Sequence, residues 1–139
     1  MSTLLEINGL YTSFGRDETE IKAVREVSLK IEKGETHALV GESGSGKSVT
    51  ALSVMQLLPY PVAWHGGGSI RFLGDELMGA PARRMREIRG NRIAMIFQEA
   101  LSSLNPLHSI EPAAPMPTIS NPSLAIGCTS SRRTETLLM

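Results

Sequence analysis

The chain is poor in several features that mark common protein classes. Its 139 residues include one cysteine, Cys128, which cannot form an internal disulfide. Basic and acidic residues number 14 each, so the formal net charge is zero and no bulk attraction to nucleic acid is expected. No apolar run reaches the roughly 18 residues that a membrane span needs. With no secretory signal at the N-terminus either, a single domain in a reducing, cytoplasmic setting is expected.

Aromatic residues are also scarce, at 4% of the chain, and none occurs after residue 110. Four of the eight prolines fall between Pro112 and Pro122. This density of proline opposes regular structure, and we find no helical or strand period from 111 to 139. The sequence therefore predicts a tail without helices or strands, either disordered or never selected to fold.

The most informative segment that is present runs from Gly41 to Ser48 and reads GESGSGKS. It follows an apolar run typical of a strand and precedes a run typical of a helix. A strand, a glycine-rich loop and a helix start together form a phosphate cradle, in which backbone N–H groups and the positive end of the helix face the anion. The segment predicts descent from a nucleoside-triphosphate binder.

The hydrophobic pattern predicts the elements around this loop. Strands are expected at 4–10, 24–31, 36–40, 69–74 and 92–97, and helices at about 47–58 and 81–89. The last strand is a continuous apolar run of the kind found inside parallel sheets. Gly66-Gly67-Gly68 is expected to be a flexible joint. The five arginines between 83 and 92 are expected to lie on a solvated helix face and strand flank rather than to bind nucleic acid.

The order of these motifs makes residues 4–110 resemble the ATP-binding subunit of an ABC transporter, most closely the oligopeptide, dipeptide and microcin-type peptide importers. The resemblance rests on Ser13-Phe14-Gly15, the phosphate loop, the run Ile93 to Glu99 and Ser103-Leu104-Asn105-Pro106. It implies an α/β P-loop NTPase fold. Residues 1–110 would be the N-terminal part of an ABC nucleotide-binding domain, an antiparallel β-subdomain plus part of the RecA-like core, and 111–139 a separate tail.

The resemblance also implies cofactors, ATP and Mg²⁺, and a role for each matching residue. Phe14, or less favourably Tyr11, would stack on adenine. The loop residues that would bind the phosphates are Gly41, Ser43, Gly44, Ser45, Gly46, Lys47 and Ser48, and the cradle does not extend beyond Val49. Lys47 would reach the β- and γ-phosphates, and Ser48 would ligate Mg²⁺. Gln98 matches the Q-loop glutamine, which contacts the Mg²⁺ and the attacking water.

The partners that the resemblance implies are transmembrane permease subunits and a second ATP-binding subunit. The expected location is peripheral, on the cytoplasmic face of the inner membrane, with no direct membrane span and no nucleic acid bound.

Several family features do not occur in the chain. The Leu-Ser-Gly-Gly-Gln signature, the apolar strand ending in Asp-Glu and the switch histidine are absent, and Ala100 stands where peptide importers usually have proline. The likeness ends near residue 110, which favours a truncated or frameshifted product. Weak nucleotide binding and negligible hydrolysis are then expected. The strands at 36–40 and 93–97 are expected to lack neighbours, which favours aggregation and poor solubility.

Two alternatives stay open at this point. One is a non-functional remnant of a broken gene, suggested by the loss of the family's later motifs. The other is a different P-loop enzyme, such as a small-molecule kinase. That second alternative needs a substrate-binding segment and a catalytic acid after residue 98, and the sequence offers neither.

Overall fold

The structure is a computed structural model that describes residues 2–97, 124–131 and 134–138. The elements in chain order are β1 (Thr3–Phe14), a 3₁₀ turn (Asp17–Thr19), β2 (Ile21–Glu32), β3 (Ala38–Gly41), α1 (Lys47–Val54), β4 (Ala63–Phe72), β5 (Asp75–Glu76), α2 (Ala82–Ile88), β6 (Ile93–Ile96), β7 (Leu124–Ser131) and β8 (Thr134–Leu138). All the predicted strands and both predicted helices are present, with shifted bounds.

The first sheet is antiparallel, with strand order β2-β1-β4-β5. Its central strand, β1, pairs along most of its length with β2 on one side and with β4 on the other. The apolar residues Leu5, Ile7 and Leu10 of β1 are completely buried. The alternation of apolar and polar residues in the sequence therefore corresponds to one sheet face that packs on the core.

The glycines at 66–68 are not a flexible joint, because they lie inside β4 and Gly67 pairs with Tyr11 of β1. Gly68 has a φ of +98°, and a Cβ there would lie 2.4 Å from the carbonyl oxygen of Gly9. Glycine is required at this position because the β1 backbone passes too close for a side chain. The prediction of a joint was wrong because consecutive glycines occur both in flexible hinges and in strands that another backbone approaches closely, and the sequence does not distinguish the two.

The second sheet has strand order β3-β8-β7-β6. The pairs β3–β8 and β7–β8 are antiparallel, and the pair β6–β7 is parallel. The prediction that 111–139 holds no strand is therefore wrong for β7 and β8. Tertiary pairing overrides weak local preference in strands, so their periodicity was a poor guide. The domain boundary proposed near residue 110 lies outside the described residues and stays a prediction.

The helix α1 ends at Val54, earlier than the predicted Leu58. Gln56 adopts a left-handed conformation with φ of +51°, which terminates the helix before the prolines do. Helix α2 begins directly after Pro81, as its proline predicts. Among the described residues, one apolar cluster joins β1, β2, β4, both helices and Ile93 of β6.

Candidate functional site

The loop from Gly41 to Ser48 connects β3 directly to α1. The strand ends at Gly41 and the helix begins at Lys47, so the loop lies at the positive end of the helix macrodipole. The Ser45 N–H donates to the carbonyl of Glu42 at 3.2 Å, which curls the loop back on itself. The strand, loop and helix predicted from the sequence are therefore present in the order that a phosphate cradle requires.

Gly46 is the residue that attaches this loop to the first sheet. Its φ is +91°, and a Cβ there would lie 2.4 Å from the carbonyl oxygen of Ala23 in β2. Gly46 also accepts hydrogen bonds from the N–H and the hydroxyl of Thr50, at 2.8 and 2.9 Å. Only glycine satisfies both the left-handed backbone and the contact with β2. By contrast, Gly44 has a φ of +80° and nothing within 4 Å of its Cβ position.

The ammonium group of Lys47 lies inside the loop. It donates to the carbonyls of Gly41 and Glu42, at 2.9 and 2.6 Å, and to the hydroxyl of Ser45 at 3.0 Å. The residue is only 4% exposed. An anionic phosphate oxygen is a stronger acceptor for an ammonium group than a carbonyl or a hydroxyl. The side chain is therefore already held where it can exchange these neutral acceptors for phosphate.

The two remaining serines of the loop lie in its turn and at the start of the helix. Ser43 lies in the turn between Gly41 and Gly46, and Ser48 is the second residue of α1, directly after the lysine. This places the Ser48 side chain on the first turn of the helix, next to the cradle. The first apolar residue of α1 is Val49, which packs against the hydrophobic core.

Phe14 is the last residue of β1, where it pairs with Ile21 and Ala63. Gly46 of the loop contacts Ala23 in β2. Ala23 is two residues from Ile21, the partner of Phe14, so the loop touches the sheet near the end of β1. Tyr11 is less suited to the same role. Its hydroxyl donates to Glu26 at 3.1 Å, and its ring lines an open cleft of about 740 Å³ with Trp64. That bond to the carboxylate raises the pKa of Tyr11.

Comparison with known proteins decides the family. A family profile described as ABC transporter matches residues 24–138, which include the phosphate loop. The chain belongs to the ABC transporter family. The fold class predicted from the sequence, an ABC nucleotide-binding domain with an antiparallel β-subdomain, is confirmed. This membership does not favour the small-molecule kinase.

Named ABC transporter proteins match the N-terminal part of the chain. It is 56% identical over 109 residues to an uncharacterized ABC transporter ATP-binding protein of Escherichia coli, covering 78% of this chain and 21% of the relative. It is 52% identical over 108 residues to a peptidoglycan transport ATP-binding protein of Agrobacterium fabrum, covering 78% and 20%. It is 44% identical over 106 residues to an oligopeptide transport ATP-binding protein of Bacillus subtilis, covering 76% and 30%. The chain thus spans less than a third of the length of these relatives.

Two further predictions concern the Q-loop residue and the absence of a membrane span. Gln98, the predicted Q-loop residue, lies outside the described residues, two positions after the end of β6 in the chain. No helix in the described part of the chain is long and apolar enough to cross a membrane.

Two of the arginines near α2 interact with other protein groups as well as with solvent. Arg84 forms ion pairs with Asp75 and Glu87. Arg89 donates to the carbonyls of Met55 and Gln56, at 2.8 and 2.6 Å. A guanidinium at that point satisfies the carbonyls at the C-terminal end of α1 and complements its dipole. The expectation of a merely solvated face was therefore wrong for Arg89.

Sequence reasoning missed a buried polar network behind the phosphate loop. The hydroxyl groups of Thr12 and Ser53 are 3.2 Å apart, and the Thr12 hydroxyl is 3.1 Å from Nδ1 of His65. The partners are 41 and 53 residues apart in the chain. Nothing in a linear pattern of apolar and polar residues signals such a contact.

Proposed function

We propose that this chain supplies the nucleotide-binding part of an ATP-binding subunit that energises the uptake of peptides or related solutes. The observation that carries the proposal is the position of the Lys47 ammonium group, held by three acceptors inside a loop between a strand and a helix N-terminus. The substrate class is supported by the oligopeptide and peptidoglycan transport named in two relatives.

The residues present fit the phosphate portion of a nucleotide. Glycine at 46 lets the loop pass against β2, and nothing lies within 4 Å of the Cβ position of Gly44 in the same loop. In this proposal Gly41, Ser43, Gly44 and Ser45 line the cradle with backbone groups, and Lys47 binds the β- and γ-phosphates.

Two further roles complete the proposed nucleotide site. Ser48 supplies an oxygen ligand to Mg²⁺, which would neutralise phosphate charge, and Gln98 approaches the same ion and the attacking water. Phe14 stacks on the base at the edge of the cradle.

Hydrolysis places a further demand on the chain. Phosphoryl transfer to water needs an oriented nucleophile as well as charge neutralisation. The 139 residues contain neither an apolar strand ending in Asp-Glu nor a Leu-Ser-Gly-Gly-Gln signature. We therefore propose that the chain binds ATP weakly and does not hydrolyse it at a useful rate alone.

The proposed partners follow from the family. A second ATP-binding subunit would close over the nucleotide, and transmembrane permease subunits would receive the conformational change. The chain would then act peripherally, on the cytoplasmic face of the inner membrane.

The test is titration of the full chain with ATP and Mg²⁺ by calorimetry, with Lys47→Ala as the variant. Loss of a charge-assisted hydrogen bond should weaken binding by at least about tenfold. Lys33→Ala removes an exposed lysine from the turn after β2 and is the matched control, which should bind like the wild type. Equal affinity of the wild type and Lys47→Ala would contradict the proposal. Absence of ATP binding by a folded wild type would also overturn it and favour the broken-gene remnant.

A further inference from the structure

The contact between Thr12 and Ser53 is a hydrogen bond in the interior of the protein. Thr12 lies on β1 and Ser53 on α1, and both residues are completely buried. The Ser53 hydroxyl donates to the carbonyl of Val49 at 2.7 Å, which uses its only proton. The hydroxyl of Thr12 must therefore donate to the oxygen of Ser53, because the pair shares a 3.2 Å contact.

The same proton count gives a direction to the rest of the network. Having donated its proton, Thr12 accepts from Nδ1–H of His65 at 3.1 Å. The other ring nitrogen, Nε2, then accepts from the hydroxyl of Tyr60 at 2.6 Å, a much shorter contact than the 3.3 Å from the same hydroxyl to Oε1 of Gln56. Burial lowers the pKa of His65, which agrees with a neutral ring. Four side chains from β1, α1, β4 and the segment before β4 are thus joined in one direction.

The network connects the two elements that carry the parts of the proposed nucleotide site, β1 with Phe14 and α1 with Lys47. Phe14 lies two residues beyond Thr12 on β1, about 7 Å along an extended strand. Lys47 lies six residues before Ser53 on α1, about 9 Å along the helix axis. Gly46 meets β2 at Ala23, next to Val24, which pairs with Thr12. The hydrogen bond therefore joins the element that ends at the base-stacking residue to the element that begins at the phosphate-binding residue.

We propose that the Thr12–Ser53 hydrogen bond positions Phe14 relative to Lys47, and so determines how well one ligand reaches both the cradle and the stacking ring. This inference rests on the proposed function. Apolar packing between α1 and the sheet has no direction and tolerates sliding, whereas a buried hydrogen bond specifies one arrangement. The two residues act through Phe14 and Lys47 and need not touch the nucleotide.

The experiment compares two ligands, ATP and inorganic tripolyphosphate, by calorimetry on the full chain with Mg²⁺. Tripolyphosphate occupies only the cradle, whereas ATP must also reach Phe14. The variants are Thr12→Val, Ser53→Ala and the double substitution. Each should weaken ATP binding by about five- to tenfold, the effect of one hydrogen bond, and change tripolyphosphate binding by less than about twofold. The double variant should lose no more than Thr12→Val alone, because the two groups share one contact.

Three controls keep the result decisive. Thr12→Ser retains the hydroxyl group and should bind ATP nearly as the wild type does. Thr3→Val removes a hydroxyl bond to Glu32 at the opposite end of β1 and should change neither affinity. Thr12→Val also takes the acceptor from Nδ1–H of His65, whereas Ser53→Ala leaves that bond in place, so a loss shared by both variants belongs to the Thr12–Ser53 contact.

The outcomes separate this inference from the proposed function. If the wild type binds neither ligand, the proposed function itself fails. If the wild type binds both, and the variants lose both affinities in equal proportion or lose neither, the positioning role is overturned. Selective loss of ATP affinity with restoration by Thr12→Ser supports it.

Discussion

The two sheets of this protein are stabilised in different ways. In the first sheet, β1 and β2 are 12 residues long and β4 is 10. Leu5, Ile7 and Ile70 of this sheet are completely buried. In the second sheet, β3 and β6 have four residues each, and Val40 and Ile96 are 66% and 63% exposed. Among the residues whose side chains the structure describes, the first sheet thus contributes more buried apolar side chains than the second, whose Val40 and Ile96 lie largely in solvent.

The difference reflects where each sheet finds its neighbours. In the first sheet, β1 and β2 are joined by a short turn and β4 pairs beside them. In the second, β3 is paired with β8, nearly 100 residues later in the chain. The prediction that the strands at 36–40 and 93–97 lack neighbours is therefore wrong on one edge of each, since β8 and β7 pair there. Pairing over such distances carries a larger entropic cost, so the second sheet is expected to open first.

The largest effect should come from removing an apolar side chain from the first sheet. Leu5→Ala deletes a completely buried side chain of the central strand and should lower the free energy of unfolding by about 2–5 kcal/mol. Val40→Ala in β3 truncates a largely exposed side chain and should change it by less than about 0.5 kcal/mol. Urea denaturation followed by circular dichroism measures both. Equal losses at the two positions would show that the sheets do not differ in this way.

A smaller effect is expected at the junction between the sheets. Gly46→Ala forces an alanine into a left-handed backbone and against the carbonyl of Ala23, and should cost about 2–3 kcal/mol. Gly44→Ala imposes the same backbone strain in open space and should cost about 1 kcal/mol. ATP titration should show weaker binding for Gly46→Ala than for Gly44→Ala. The reverse order would mean that the contact with β2 does not hold the loop.

The smallest expected effect is a pH dependence from the first sheet. Burial lowers the pKa of His65 in the folded protein, while the unfolded chain keeps a value near 6.5. Above about pH 7 the ring is neutral in both states and contributes no pH dependence. As the pH falls below about 6.5, the unfolded state takes up the proton more readily, and stability decreases.

The measurement is the melting temperature between pH 7.5 and 5.5 for the wild type and for His65→Gln. The decrease on acidification should be smaller in His65→Gln. His37→Gln is the control substitution, at the histidine that lies 3.6 Å from Glu35 and outside the Thr12 network. Identical slopes for the wild type and His65→Gln would exclude His65 as the source.

Prediction from the sequence succeeded where the signal is local. The eight residues from Gly41 to Ser48 include the glycines of the turn, the charged lysine and the first residues of α1, so the structure of the loop follows from residues close together in the chain. Pro81 likewise marked the start of α2. The roles of Phe14 and Gln98 depended on resemblance instead and stay predictions, because stacking and water positioning require a ligand.

Prediction was less successful where a residue acts through a distant partner. Gly68 was interpreted as flexible because a one-dimensional reading does not show the β1 backbone that excludes a side chain there. The strands β7 and β8 were missed because they are specified by pairing with β3 and β6. The contact between Thr12 and Ser53 was not foreseen, because the two residues are 41 positions apart in the chain.

The amino-acid sequence by itself determined the phosphate loop, the alternation that makes β1 and β2 a sheet, and the family to which the chain belongs. These depend on residues close together, whose backbone preferences and spacing act locally. Only the tertiary structure decided that the loop contacts Ala23 through Gly46 and that Arg89 caps α1. It also decided that Thr12 and Ser53 form a hydrogen bond between the sheet and the helix. Each of these is a hydrogen bond or close contact between remote segments, and its geometry exists only once the core has brought them together.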